Sequence, residues 1–265
     1  MMVSGRSAAA LSLNSASRGW PMHNSKDSHH AAPLDRTTEW FVPRFGPPRF
    51  RAFIGLLFLP YTGMVLAYTV MGAMLAPQVH WDRVGAMLII YFLALGIGAH
   101  AFDALGSRTF KPWGDLFSVR QLWVLGGASL AGAYLIGAYY MINFTPLLWP
   151  IAIAEGFFLL AYNLEWFGGR LHTDGWFAFS WGALPVLAGY VLQTNTLAVP
   201  AGMLATAAAL FSLVEIRASR PYKELKRSGK GGGWPSLACL EGILKCISGG
   251  VLLLAASLAT MRWNG

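Results

Sequence analysis

The chain has 265 residues, of which 55% are hydrophobic and only 12% charged, and it carries a net charge of +8. A soluble domain carries about 25% charged residues, so at a mean hydropathy of +0.47 most of this chain must face lipid. The positive excess marks cytoplasmic loops and contact with anionic headgroups. Nucleic-acid binding is excluded, because no basic element with interleaved aromatics stands apart from the apolar segments.

Residues 1 to about 45 form a polar tail rich in Ser, His, Pro and Arg. No apolar run follows a basic start, so a cleaved secretory signal is not expected. The composition reads as disordered, and its scarcity of acids is shared with organellar transit peptides. His29 and His30 read as solvated tail residues.

Residues 46–265 read as a transmembrane helical domain. Seven hydrophobic runs, at roughly 52–76, 84–105, 120–141, 145–163, 176–194, 198–216 and 236–261, are each long enough, at ~20 residues, to cross a bilayer. Only helices satisfy their own backbone in lipid without closing a barrel, and these runs are too continuous for barrel strands. The expected fold is therefore all-α, a polytopic bundle of about seven helices. Small residues recur within the runs, at Gly96, Gly98, Gly126, Gly127, Gly182, Gly189, Gly249 and Gly250, where they would let helices approach closely. Cys239 and Cys246 lie seven residues apart in the last run. That spacing separates them by ~10 Å along a helix, too far for a disulfide, so they read as buried small apolar residues.

Basic residues set the orientation. Arg44, Arg49 and Arg51 precede the first run, Arg108, Lys111 and Arg120 separate the second from the third, and Arg170 separates the fourth from the fifth. Arg217, Arg220, Lys223, Lys226, Arg227 and Lys230 separate the sixth from the seventh. The alternate loops hold only Arg83, balanced by Asp82. By the positive-inside rule the N-terminus and the basic loops are cytoplasmic, and their polar groups can converge on one face.

The loop after the second run carries the densest chemistry. It reads Ser107-Arg108-Thr109-Phe110-Lys111-Pro112 and then Gly114-Asp115-Leu116-Phe117-Ser118-Val119-Arg120-Gln121. Together with Phe177 to Val191, FAFSWGALPVLAGYV, it resembles the UbiA-type intramembrane prenyltransferases over roughly residues 44–232. Those proteins share an aspartate-rich end to the second helix, a basic-Pro step and a glycine turn into the third, and a Gly-x-Leu-Pro-Val core in the fifth. The family is usually nine-helical, so two helices would be missing or replaced by Trp234 to Gly265.

The resemblance implies a UbiA-like bundle that ionises an allylic diphosphate and passes the prenyl group to an aromatic or lipid acceptor. It also implies Mg²⁺ bridging carboxylates to phosphate, helped by Arg and Lys. The family's first motif is Asn-Asp-x-x-Asp-x-x-x-Asp. With Asp103 as its second aspartate, Ala99 replaces the asparagine, His100 the first aspartate and Ser107 the last; shifted by four, Asp103 is the last and Gly96 and Ala99 fill the other two places. The second motif falls on Leu213 to Arg220, where Glu215 is the sole acid. Asp103 and Glu215 are thus the implied catalytic and metal-binding pair. Two carboxylates suit one Mg²⁺ that keeps several waters and are poorly matched to two.

Arg108, Lys111, Arg217, Arg220 and Lys223 form the anion-binding set, since Arg grips phosphate through paired hydrogen bonds. A positive-inside cluster touching lipid phosphates would leave the same signature. Asp103 also reads as a helix-end cap or an ion-pair partner of Arg108. His100, in a motif position, is placed to hydrogen-bond phosphate. Tyr162 and Asn163, with Trp166, suit either substrate contacts or an interfacial belt.

Glu155 sits mid-helix in IAIAEGFFLL. A charge there is expensive and marks a functional site by default, in acceptor binding or proton transfer, or else a carboxyl bonded to a neighbouring helix. Glu241 and Lys245 are spaced to pair along one helix. His100 with Asp103, and His172 with Asp174, form two His/Asp pairs that with Glu155 would suit a non-haem iron site. Ser228 to Gly233 lacks the spacing of a phosphate loop and reads as linker. Two functions follow: a prenyltransferase acting on an isoprenoid diphosphate, or a non-catalytic UbiA-like protein holding an isoprenoid, quinone or pigment as a subunit with membrane-protein partners.

Overall fold

A computed structural model describes residues 38–106, 116–228 and 235–264. The described residues are helical and contain no strand. In chain order the helices are α1 (Pro48–Leu57), α2 (Leu59–Met74), α3 (Trp81–Gly106), α4 (Val119–Asn143), α5 (Leu148–Asn163), α6 (Asp174–Thr194), α7 (Val199–Ser228) and α8 (Leu237–Trp263). Side-chain caps fix several starts. Ser118 and Gln121 form a reciprocal capping box at α4, Thr173 caps α6 and Ser236 caps α8.

Among the described residues, five helices are long and apolar enough to cross a membrane, or six if the bent pair α1–α2 counts as one span. The expected first span is therefore broken. Phe58 adopts a left-handed conformation with φ 44° and ψ 57°, and the two helices meet at a 42° bend. Pro60 cannot donate to the preceding turn and disfavours helix before it, while Thr62 Oγ1 donates to the carbonyl of Leu57 at 2.6 Å. The expected fourth span is a helix of only 16 residues, ~24 Å long, short of a hydrocarbon core ~30 Å thick. Trp149, Ile153, Leu210, Val214, Leu252, Leu253 and Leu254 lie exposed on the outer helix faces. That is the surface of a bundle solvated by lipid rather than water.

The tightest crossing is α2 on α6. A Cβ on Gly72 would strike the Val186 carbonyl and one on Gly189 the Thr69 carbonyl, so glycine lets the two backbones touch. Gly182 serves α6 against α7 in the same way, with the Ala208 carbonyl 2.7 Å from where its Cβ would sit. Gly127, Gly249 and Gly250 have no neighbour within contact distance, so their expected role in helix approach does not hold among the described residues. Cys239 is half-buried and Cys246 exposed, and neither forms a disulfide. Cys246 is thus not the buried residue its apolar neighbours suggest.

The helix ends sort into two groups. At one end Lys226 pairs with Glu39 at 3.0 Å, Lys245 sits over the Trp40 ring, and Arg217 and Arg220 meet Asp174. At the other, Arg83, His80 and Gln193 bond across α3 and α6, and Arg262 reaches the end of α2. Among the described residues, Arg217, Arg220, Lys223 and Lys226 of α7 thus gather at one end with Lys245 of α8. Glu39, Trp40, Phe41 and Val42 pack there against Tyr222, Leu240, Leu244 and Phe58. The stretch read as a tail to residue 45 therefore gives up these residues to the helical body.

Candidate functional site

Three departures from regular helix occur at the basic end and converge on one place. The first is Phe58, whose left-handed backbone costs about 1–2 kcal/mol in a residue other than glycine. The second is a widened, π-type stretch of α3 over Phe92–Ala99, which ends where His100 begins. The third is a matching stretch of α6 over Phe179–Ala183, containing Trp181. Pro185 accounts for it: a proline ring clashes with the carbonyl four residues earlier, here Trp181, and unwinds the turn. Such widened turns concentrate at functional sites.

The rings they present form a box. His100 lies 5.9 Å from Phe58 and 5.5 Å from Trp181. Phe58 and Tyr61 are 4.3 Å apart, and Phe177 stacks on Trp181 at 5.3 Å and meets Tyr61 at 5.9 Å. Lys223, from α7, closes the box: its ammonium sits 4.7 Å from the Phe58 centroid and 5.6 Å from that of Tyr61. A cation on an aromatic face gains ~0.5–2 kcal/mol, most when water is excluded.

Phe177 links this box to a polar cluster. Its ring lies 5.9 Å from that of Tyr162, which stacks on His172 at 4.3 Å; His172 Nδ1 is 3.0 Å from the Tyr162 carbonyl oxygen. Arg220, Asp103 and Asp174 all lie close enough to the Tyr162 hydroxyl to act on it electrostatically. Asp174 takes Arg220 at 3.0 Å and Arg217 at 3.9 Å, so one carboxylate holds two guanidinium groups. Asn163, in which Nδ2 donates to the Leu159 carbonyl at 2.7 Å, is buried and closes the end of α5. Gly106, at the end of α3, abuts the Asn163 carbonyl.

Glu215 lies deeper on α7, 3% exposed, near Lys223 in electrostatic terms and facing the Tyr68 and Ser212 side. Among the described residues its Oε1 has no hydrogen-bond partner, nor has Ser219 Oγ one turn on. Unsatisfied buried polar atoms are costly and call for an explanation; a ligand group at this position would provide one.

Most of the residues singled out from sequence are thus brought together: His100, Asp103, Tyr162, Asn163, Glu215, Arg217, Arg220 and Lys223. Arg108 and Lys111 lie outside the described residues. Glu155 is placed elsewhere, in a separate cleft beside Tyr91. The donor set does not fit the implied Mg²⁺ site well. Asp174 is held by two arginines, and no three His, Cys, Asp or Glu residues cluster among those described. The non-haem iron arrangement likewise does not assemble, because Asp174 is taken by arginines and Glu155 by Tyr91.

Phe58, Tyr61, Phe177, Trp181 and Ser219 belong to the site and were not singled out individually from sequence. Apolar rings in apolar helices carry no signal of their own. The prolines after two of the three irregular turns, Pro60 and Pro185, were the one available hint. No protein-family model, curated protein or solved structure matches this chain.

Proposed function

We propose that this is a UbiA-like membrane protein that binds an isoprenoid diphosphate at the basic end of its bundle, on the cytoplasmic side, and transfers the prenyl group to an aromatic or lipid acceptor. The observation that carries this reading is the juxtaposition of Lys223, Arg217 and Arg220 with the ring faces of Phe58, Tyr61 and Trp181. A diphosphate needs cations as it leaves; an allylic carbocation needs electron-rich faces beside it. In the reaction the bond from allylic carbon to diphosphate oxygen breaks and its electron pair leaves with the diphosphate. The acceptor carbon then bonds to the cation and loses a proton. Asp174 keeps the two arginines in position before substrate arrives, and an incoming phosphate group replaces it as their counter-ion.

A second reading has its own support. The carboxylates are too few to gather metal, and Asp174 is already taken by two arginines, which favours holding an isoprenoid without turnover, as a subunit of a membrane complex. Purified protein incubated with labelled geranyl or geranylgeranyl diphosphate, with and without Mg²⁺, separates the two. Diphosphate release that is lost in Asp103→Ala establishes the transferase. Tight binding without release, indifferent to EDTA and to Asp103→Ala, establishes the carrier. No binding of either diphosphate removes both.

A further inference from the structure

Away from the basic end, α3, α4 and α5 enclose a cleft of about 60 Å³. Its walls include Met87, Ala94, Leu130, Ala133, Ile151 and Leu159. Ala94, Leu130, Ile151 and Glu155 are only half-buried, so the cleft opens sideways on a face where Leu135, Ile153 and Phe157 are exposed. A molecule would enter it from the lipid.

The cleft holds one carboxyl, that of Glu155, and two phenol hydroxyls, those of Tyr91 and Tyr134. The fully buried Tyr91 donates its hydroxyl proton to Glu155 Oε1. Tyr134, the other hydroxyl on the wall, is already committed to the Ala152 carbonyl at 2.6 Å. Among the described residues no donor reaches Glu155 Oε2. A half-satisfied carboxyl at bilayer depth is expensive, and ordinary packing would replace it with leucine.

We propose that this cleft is a binding site for a lipid-phase molecule with an apolar body and one hydroxyl group, which bonds to Glu155 Oε2. A hydroxyl fits because it both donates and accepts: it satisfies the carboxylate as a donor and the carboxylic acid as an acceptor. An ether only accepts and an ammonium only donates. The apolar walls take the body of the molecule by burial. The inference is independent of the diphosphate reading, since it shares neither residues nor charge with the basic end.

The test uses the full chain in detergent micelles, with 4-decylphenol and its methyl ether, 4-decylanisole, measured by titration calorimetry. The phenol is expected to bind about tenfold more tightly than the ether, the worth of one hydrogen bond. Glu155→Leu erases that preference. Ala94→Phe fills the cleft without touching the carboxyl and abolishes binding of both. Equal affinity of the two probes for the unmodified protein overturns the proposal, as does binding indifferent to Ala94→Phe. Because Ala94→Phe leaves the Tyr91 to Glu155 bond in place, it decides the matter even if Glu155→Leu does not fold.

Discussion

Arg83 and Arg262 stand at one end of the bundle, Arg217 and Arg220 at the other, and the two pairs do different work. Arg83 donates to the carbonyls of Leu192 and Gln193 at 3.0 and 3.2 Å, and Arg262 donates to those of Ala76 and Pro77. Arg83 thus satisfies orphan carbonyls at the end of α6 and complements its dipole, while Arg262 ties down the loop that follows α2. Arg217 and Arg220 instead meet a side-chain carboxylate from another helix, beside rings and a second cation. The far end is also closed by reciprocal bonds, with the backbone of His80 joined to the Gln193 amide in both directions. The basic end keeps Glu215 Oε1 and Ser219 Oγ without partners among the described residues. The far end has an unpartnered atom too, Arg262 Nε, but it belongs to a guanidinium already tied to backbone; at the basic end the two unpartnered atoms lie one turn apart on α7, where a ligand group could meet both.

Substitutions can break this contrast. The largest effect belongs to the double change Arg220→Ala with Lys223→Ala. Each removes a charge-assisted contact worth ~1.5–3 kcal/mol, so affinity for geranylgeranyl diphosphate is expected to fall at least about a hundredfold, while the unfolding midpoint moves little. Arg83→Ala inverts that pattern. It strands two carbonyls and costs about 1–3 kcal/mol of stability, read by denaturant unfolding in micelles, and leaves diphosphate affinity unchanged. A loss of binding in Arg83→Ala with stability intact would mean that the ends are not specialised as described.

Glu215→Gln sharpens the comparison further. Replacing a buried carboxyl whose Oε1 has no hydrogen-bond partner with a neutral amide is expected to raise stability by about 1 kcal/mol while weakening ligand binding, the signature of a site that trades stability for function. A fall in stability would show instead that Glu215 is structural. The smallest effect is reserved for Glu241→Ala. Its bond to Lys245 at 2.6 Å lies along one partly exposed helix, and such pairs are worth only ~0.3–0.5 kcal/mol, so both stability and binding should stay near those of the unmodified protein.

The helical class, the lipid-facing character and the clustering of charge along α7 were all legible in residue order. Each depends on properties that run along the chain: hydropathy in runs, charge in alternate loops and spacing within one helix, as for Glu241 and Lys245. Long apolar runs have one solution to backbone hydrogen bonding in lipid, so little else is needed. The break at Phe58 and the shortness of α5 were not legible, because both look like continuous apolar sequence. The cationic and acidic members of the site could be named in advance, since charges near a membrane stand out. Its rings could not, because Phe58, Phe177 and Trp181 are indistinguishable from ordinary core aromatics until three helices bring them to one point. Sequence set Glu155 apart from Asp103 and Glu215 by its place mid-helix, but could not name the neighbours of any of the three. Which acid faces Tyr91, which Lys223 and which Tyr162 depends on how helices distant in sequence cross. Those crossings are set by close contacts such as Gly72 on Val186 and Gly189 on Thr69, which exist only once the bundle has packed.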